Sequence, residues 1–313
     1  MWWARLLNVI AGLLNGGAAA PAAGVAGYYG SGQTSNAAID KITFPADTKT
    51  TLSATLTSPR SNLAGMSNKG TAGYSGGGYD GGSNLNGIDK IAFPADTKTT
   101  LSATLSTGVR ALGAFNNAGT AGYFAGGVDD IGPRTSTVNK IAFPSDTKTT
   151  TTALTAATAD LSGCSNNGTA GYWAGGYDGS TFLNTFTKYA FPSDTKTTLS
   201  ATLTTGKTST AAMGNDGVAG YFAGGYDGGS NLNGIDKLSF TSETKSTLSG
   251  TLSAARRAAS GMSNNGVAGY IGGGFESSPV NTIQKITFSG DAVSTLSATL
   301  STAGVSPSGM QNA

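Results

Sequence analysis

No histidine stands anywhere in the 313 residues of this chain, which removes the commonest general base and the commonest transition-metal ligand together. Cys164 is the single cysteine, so neither an intrachain disulfide nor a thiolate cluster can form. Chemistry is left to carboxylates, guanidinium groups and aromatic planes. These gather in loop segments at Tyr79, Asp80, Arg110, Asp129, Asp130, Arg134, Tyr177, Phe182, Tyr226, Arg256 and Phe275. Such a mixture on exposed loops suits the binding of sugars or of a protein surface. Asp129 and Asp130 could in principle form the carboxylate pair that glycoside hydrolysis uses. The expectation is nonetheless binding without catalysis, and no catalytic residue, metal or cofactor is assigned.

Three familiar patterns do not hold. Residues 76–81 read Gly-x-Gly-x-x-Gly, but no helical pattern follows to offer its N-terminus to a pyrophosphate. Gly206-Lys207-Thr208 resembles the end of a P-loop, yet Ala201 stands where its first glycine is needed. Asp80, Asn84 and Asn86 lack the spacing and the terminal glutamate of a calcium loop. Asn167-Gly168-Thr169 is a glycosylation sequon that a hairpin role already explains. The net charge of +2 comes from 19 basic and 17 acidic residues spread along the chain, which gives no footprint for nucleic acid.

The elements that must position the loops follow from a repeat. Ala-Gly-Tyr recurs with its tyrosines at Tyr28, Tyr74, Tyr123, Tyr172, Tyr221 and Tyr270, first 46 and then 49 residues apart. A lysine recurs in step, at Lys41, Lys90, Lys140, Lys188, Lys237 and Lys285. It is expected to pair with aspartates such as Asp40, Asp47, Asp89 or Asp96, or to cover apolar surface with its stem. Glycine, 48 residues of 313, is about twice its usual ~7% and supplies turns and close approaches. Within residues 60–105 four strand-length segments alternate with turns. Asn68-Lys69-Gly70, elsewhere Asn-Asn-Gly, predicts a hairpin in which both central residues take positive φ. In Pro94-Ala95-Asp96-Thr97 the aspartate is expected to bond a nearby backbone amide.

Four antiparallel strands of this length cannot bury both faces alone, and radial stacking of the units solves that. The reading is all-β: a six-bladed propeller over residues 24–313. Ser308 to Asn312 match Ser260 to Asn264, so the C-terminus is expected to supply the inner strand of the first blade. The turns after second and fourth strands vary in length and chemistry and should share one face, with Arg60, Arg110, Lys207, Arg256 and Arg257 at the joins between blades. Residues 78–90 and 225–237 are identical, which duplication explains.

The spacing, with Gly-Gly closing the second strand, resembles the kelch repeat, although the tryptophan usual in that family's fourth strand is replaced by Thr-Leu-Ser-Ala-Thr-Leu. The histidine ligands of copper-binding propeller oxidases and the Ser-x-Asp-x-Gly-x-Thr-Trp box of propeller sialidases are both missing. Residues 194–203 and 219–228 are similar to repeats in propeller proteins of tailed bacteriophages. That resemblance implies a virion protein of tail or capsid, in several copies, whose loop face meets a glycan or protein of the host surface.

Residues 1–23 break the repeat. Trp2, Leu6, Val9 and Leu13, with Trp3, Leu7, Ile10 and Leu14 beside them, follow a helical spacing that leaves a narrow polar edge. About thirteen apolar residues are too few to span a membrane. The segment is read as an anchor into other virion proteins through residues 1–20; the alternative is a secretory signal. The function expected is a non-enzymatic virion propeller for adhesion. The alternatives are a decoration protein without receptor and an extracellular propeller that binds or cleaves glycans.

Overall fold

The second strand of every repeat, Ala-Gly-Tyr followed by two more residues, is buried along its whole length, because another sheet covers each of its faces. The computed structural model describes residues 25–312; the expected anchor helix and its side chains, from Trp2 to Leu14, lie outside them. Six four-stranded antiparallel sheets form the blades of a propeller. Blade 2 runs Ala64–Asn68, Ala72–Gly76, Ile88–Ala92 and Thr97–Thr100 from inner to outer edge, and blades 3 to 6 follow in order. Blade 1 takes its inner strand, Ser308–Gln311, from the far end of the chain, beside Ala26–Gly30, Ala38–Thr43 and Thr48–Thr55. That is the closure expected from the sequence. Among the described residues no helix is long and apolar enough to cross a membrane.

Each blade seats on the next through a knob and a hole. Met66, Phe115, Cys164, Met213, Met262 and Met310 on the inner strands point at Gly122, Gly171, Gly220, Gly269, Gly27 and Gly73 of the following blade. A Cβ at Gly122 would stand 2.0 Å from the Met66 sulfur, so any larger side chain there would have to displace that methionine. Buried Cys164 is one of these knobs. Nearer the axis the inner strands approach each other backbone to backbone: a Cβ at Gly261 would lie 2.1 Å from the Ala212 carbonyl oxygen.

A second device crosses the same gaps. The repeated tyrosine and lysine are cross-strand partners, as in Tyr74↔Lys90 and Tyr270↔Lys285, so their tips emerge side by side. Both reach one carboxylate in the turn before the outer strand of the next blade. Tyr28 and Lys41 bind Asp96 at 2.8 and 2.7 Å, Tyr74 and Lys90 bind Asp146 at 2.8 and 2.6 Å, and Tyr123 and Lys140 bind Asp194 at 2.7 Å each. Lys188 binds Glu243, Tyr221 and Lys237 bind Asp291, and Tyr270 and Lys285 bind Asp47 to close the ring. The phenylalanine opening each of these turns stacks on the same tyrosine, with Tyr28 and Phe93 4.7 Å apart and Tyr74 and Phe143 5.0 Å apart.

Three expectations are corrected here. The turn aspartate does not use its carboxylate on a local amide: its own N–H, at Asp96, donates to Ala92, and its carboxylate oxygens go across the gap. Of the aspartates expected for the repeated lysines, Asp47 and Asp96 are the partners, whereas Asp40 and Asp89 take other cations. In the Asn-x-Gly hairpins only the glycine has positive φ, 73° at Gly70 and 71° at Gly168. That is the demand of a type II turn on its third residue rather than of the mirror-image hairpin turn.

Gly122→Val should cost about 1–3 kcal/mol by overpacking, and Met66→Ala about 2–5 kcal/mol by leaving a cavity. The double variant should cost clearly less than the sum, measured by urea unfolding; strict additivity would remove the knob-and-hole account.

Burial, and then the carboxylate that each hydroxyl faces, push the phenols of Tyr28, Tyr74, Tyr123 and Tyr270 above their ordinary value, as burial and Glu243 do at Tyr172. Burial raises Tyr221 as well, with Asp291 adding to it and Lys237 opposing. An unfolded tyrosine ionises near pH ~10 while these remain protonated, so the ring holds protons that the unfolded chain has released. Their stabilisation is complete below pH ~10 and declines above it, by about 1.4 kcal/mol per pH unit for each tyrosine. The urea midpoint should therefore hold level to about pH 9 and fall steeply beyond about pH 10. Tyr74→Phe should shallow that fall, and a midpoint unmoved at pH ~12 would contradict it.

Candidate functional site

The segment entering each inner strand sets the loop face, and its consecutive residues point in different directions. The first of three positions points inward. It holds Arg60, Lys207 and Arg256 in three blades, each at most 3% exposed and each ion-paired, to Asp89 at 2.8 Å, Asp236 at 3.0 Å and Glu276 at 2.9 Å. Burial opposes the charge on Asp89, but Thr57, Arg60 and Thr100 still hold its carboxyl below the usual range. Asp236 is held down likewise by Lys207 and Thr204. Arg256, expected on the binding face, is therefore an interior cation. Arg60 and Lys207 leave the face with it.

The second position is buried where it holds Ser61, Ala159 or Thr208 and half-buried where it holds Arg110 or Arg257, whose guanidinium groups reach out over the loop aromatics. In blades 2 to 6 its backbone forms a double bridge with the first residue of the loop after the second strand, as in Ser61 and Tyr79 at 2.8 and 2.9 Å and Arg257 and Phe275 at 2.8 and 3.0 Å. The loop aromatics are thereby fixed. The third position, at Asn62, Ala111, Asp160, Ser209, Ala258 and Ser306, has positive φ. From Ala111 onward each of these residues donates its N–H to the carbonyl of its counterpart one blade earlier, at 2.6–2.9 Å. The five bonds form a backbone collar around the mouth of the ring.

Above the collar, over blades 4 to 6, lies a cup of about 480 Å³, a volume suited to a small ligand. Its walls include Tyr177, Phe182, Tyr226, Phe275 and Arg257, and Asp160 is the one carboxylate lining it. Phe182 lies 4.9 Å from Tyr177 and 5.9 Å, edge-on, from Tyr226. The Arg257 guanidinium lies between Tyr226 and Phe275, 4.7 and 4.8 Å from their ring centres. Arg134 stacks on Tyr177 at 4.5 Å. Burial pushes the Asp160 carboxyl up, while the Ser209 hydroxyl and then Arg134, Arg110 and Arg257 draw it down. Below the collar the axis holds two smaller cavities of about 90 and 60 Å³, between inner strands that glycine brings together.

Of the residues predicted for binding, Tyr177, Phe182, Tyr226 and Phe275 line the cup, and Arg134 backs Tyr177. Tyr79 and Arg110 sit together elsewhere on the rim, 5.2 Å apart. The acidic residues shape turns: Asp80 accepts the amides of Gly82 and Ser83, Asp129 that of Ile131 and Asp130 that of Asn84. The Ser83 and Gly82 amides hold the Asp80 carboxyl below its ordinary value. Asn84 spends its amide on Arg110 and Val128. Among the described residues no group of three or more acidic or cysteine side chains converges as a metal site would require.

Sequence reasoning missed Asp160. The signal was available, since Asn62, Ala111, Asp160, Ser209 and Ala258 are successive 49-residue counterparts and only one carries a carboxylate.

No family model matches this chain, and no curated protein matches it. Among solved structures it is similar to the one titled "Structure of YjhT", with a TM-score of 0.70 and 17% sequence identity over 86% of this chain and 93% of that chain. At that identity the likeness concerns the propeller fold.

The neighbouring arginines should behave oppositely. Arg256→Ala removes a buried ion-pair partner, which costs about 3–5 kcal/mol in a fully buried pair, toward the lower figure here because the Glu276 side chain is 28% exposed. Arg257→Ala removes a stacked surface cation and should cost about 0.5–1 kcal/mol. Thermal unfolding of both variants measures this, and equal losses would refute the alternation.

Proposed function

We propose that this propeller is a non-enzymatic binding protein of a tailed-phage virion, held in tail or capsid through residues 1–20 and presenting its loop face to glycans of the host surface. The observation that carries the reading is the cup. Aromatic planes of the kind that sugar rings stack on are held at its wall by double backbone bridges, with guanidinium donors beside them, so little ordering remains to be done on binding. The repeat-level similarity to phage propellers supports the virion setting. A single carboxylate in the lining supports binding over cleavage, because glycoside hydrolysis ordinarily needs two. A secreted glycan-binding propeller would use the same cup.

A panel of bacterial surface polysaccharides, offered to the full chain, should contain ligands that are bound and left intact. Phe182→Ala should weaken binding at least tenfold, about 1.4 kcal/mol, without shifting the melting temperature by more than a few degrees. Cleavage of the bound glycan would overturn the non-enzymatic reading, and binding indifferent to Phe182 would move the site elsewhere. Deleting residues 2–20 should leave glycan binding intact and abolish incorporation into particles.

A further inference from the structure

The identical loops of blades 2 and 5, residues 78–90 and 225–237, stand three blades apart and therefore face each other across the six-bladed ring. Duplication accounts for the loops. It does not account for the arginine that each has acquired from the next blade. Arg110 lies in Ser-Thr-Gly-Val-Arg-Ala-Leu and Arg257 in Ser-Ala-Ala-Arg-Arg-Ala-Ala, segments outside the identical stretch that differ at the three residues before the arginine and at the one two after it. Yet the two side chains do the same thing. Arg110 stacks on Tyr79 at 5.2 Å and donates from Nη1 to the Asn84 side-chain oxygen at 3.2 Å. Arg257 stacks on Tyr226 at 4.7 Å and donates from Nη1 to the Asn231 side-chain oxygen at 3.4 Å. The other blades carry Ser61, Ala159, Thr208 and Val305 at this position, so arginine occurs where the Tyr-Asp-Gly-Gly-Ser-Asn loop precedes it.

Neither of these two groups is in direct contact with a carboxylate, although Asp160 lies within the field of both. The interior cations Arg60, Lys207 and Arg256 are each matched to a carboxylate, whereas among the described residues neither Arg110 nor Arg257 makes an ion pair. Asp130 caps the Asn84 amide beside the first, and Glu276 is taken by Arg256 beside the second. A guanidinium over an aromatic ring, with one donor pinned by an asparagine, keeps the rest of its fork for an oxyanion.

We propose that the loop face carries two equivalent subsites, Tyr79–Asn84–Arg110 and Tyr226–Asn231–Arg257, half a turn apart, and that their ligand is an acidic polysaccharide bound at two points through carboxylate or sulfate groups on its repeating sugars. This rests on the glycan-binding reading above and specifies its ligand. A polymer that engages both subsites gains avidity that neither confers alone.

Binding of the full chain to alginate, a polyuronate, to dextran sulfate and to unmodified dextran tests this, with Arg110→Gln, Arg257→Gln and the double variant, all of which should melt within a few degrees of the unaltered protein. One or both polyanions should bind and dextran should not, which also tells carboxylate from sulfate, and added salt should weaken the complex. Each single variant should lose a similar factor, about tenfold to a hundredfold, and the double variant all measurable binding. A uronate disaccharide should titrate two sites on the unaltered chain and one on each single variant. Loss confined to Arg257→Gln would overturn the paired subsites. Equal binding of plain dextran, or binding indifferent to both arginines, would overturn the acidic ligand, and if that binding still depended on Phe182 the glycan-binding reading would stand. Failure of all three polymers while other glycans of the panel bind would likewise reject the acidic ligand alone.

Discussion

One carboxylate per turn, answered by a tyrosine and a lysine from the blade before, fixes where each blade stands relative to its neighbour. The apolar contribution to a gap is larger in free energy, because a methionine or phenylalanine buried in its hole contributes about 1.5–3 kcal/mol by transfer alone. Hydrophobic packing is non-directional, however, and would tolerate sliding. A hydrogen bond to a charged group contributes about 1.5–3 kcal/mol and demands a distance and an angle. Tyr74 and Lys90 meeting Asp146 at 2.8 and 2.6 Å therefore set the register, while Met66 against Gly122 supplies cohesion. The ring closes because the sixth blade finds in Asp47 what the others find in the turn ahead of them. Glu243 does the same work for Lys188 from a turn without proline, so the carboxylate rather than the turn sequence is the constant.

Much of this was legible in the sequence, for a physical reason. The markers that gave the period, the tyrosine and the lysine, recur because the latch needs them opposite each other on adjacent strands, as Tyr28 and Lys41 are. The second-strand glycines recur because a knob fills the space of their side chains. What could not be read was direction across a gap. Asp96 looked like a residue serving its own turn, and its partners Tyr28 and Lys41 are 68 and 55 residues away. Arg256 and Arg257 looked equivalent because composition does not say which of two neighbouring side chains turns inward. A shift of one residue exchanges the faces, and here it separates a structural cation from a candidate binding one.

The same repetition that makes the ring rigid makes its mouth adaptable. The collar from Asn62 to Ser306 is built from backbone groups and places no requirement on its side chains beyond tolerance of positive φ. Asparagine, alanine, aspartate and serine all occupy it, and an aspartate at one of its places puts a charge into the mouth without disturbing the fold. The loops above it are equally free in chemistry once their first residue is bridged, and tyrosine, valine and phenylalanine all serve there.

The distribution of charge follows from this division. A cation in the wall of a blade is shut away from water, so it persists only with a partner, and Arg60, Lys207 and Arg256 have one each. A cation at the mouth keeps its solvent and can rest on an aromatic face, which holds its geometry without neutralising it. Arg110, Arg134 and Arg257 are of that kind. Asp160 is the carboxylate set among them, and burial, which raises its proton affinity, is opposed by the Ser209 hydroxyl and then by the three guanidinium groups. Fold and site thus use the same residue types under opposite conditions. The ring requires its charges to be satisfied internally, and the mouth leaves its charges for something outside the chain to satisfy.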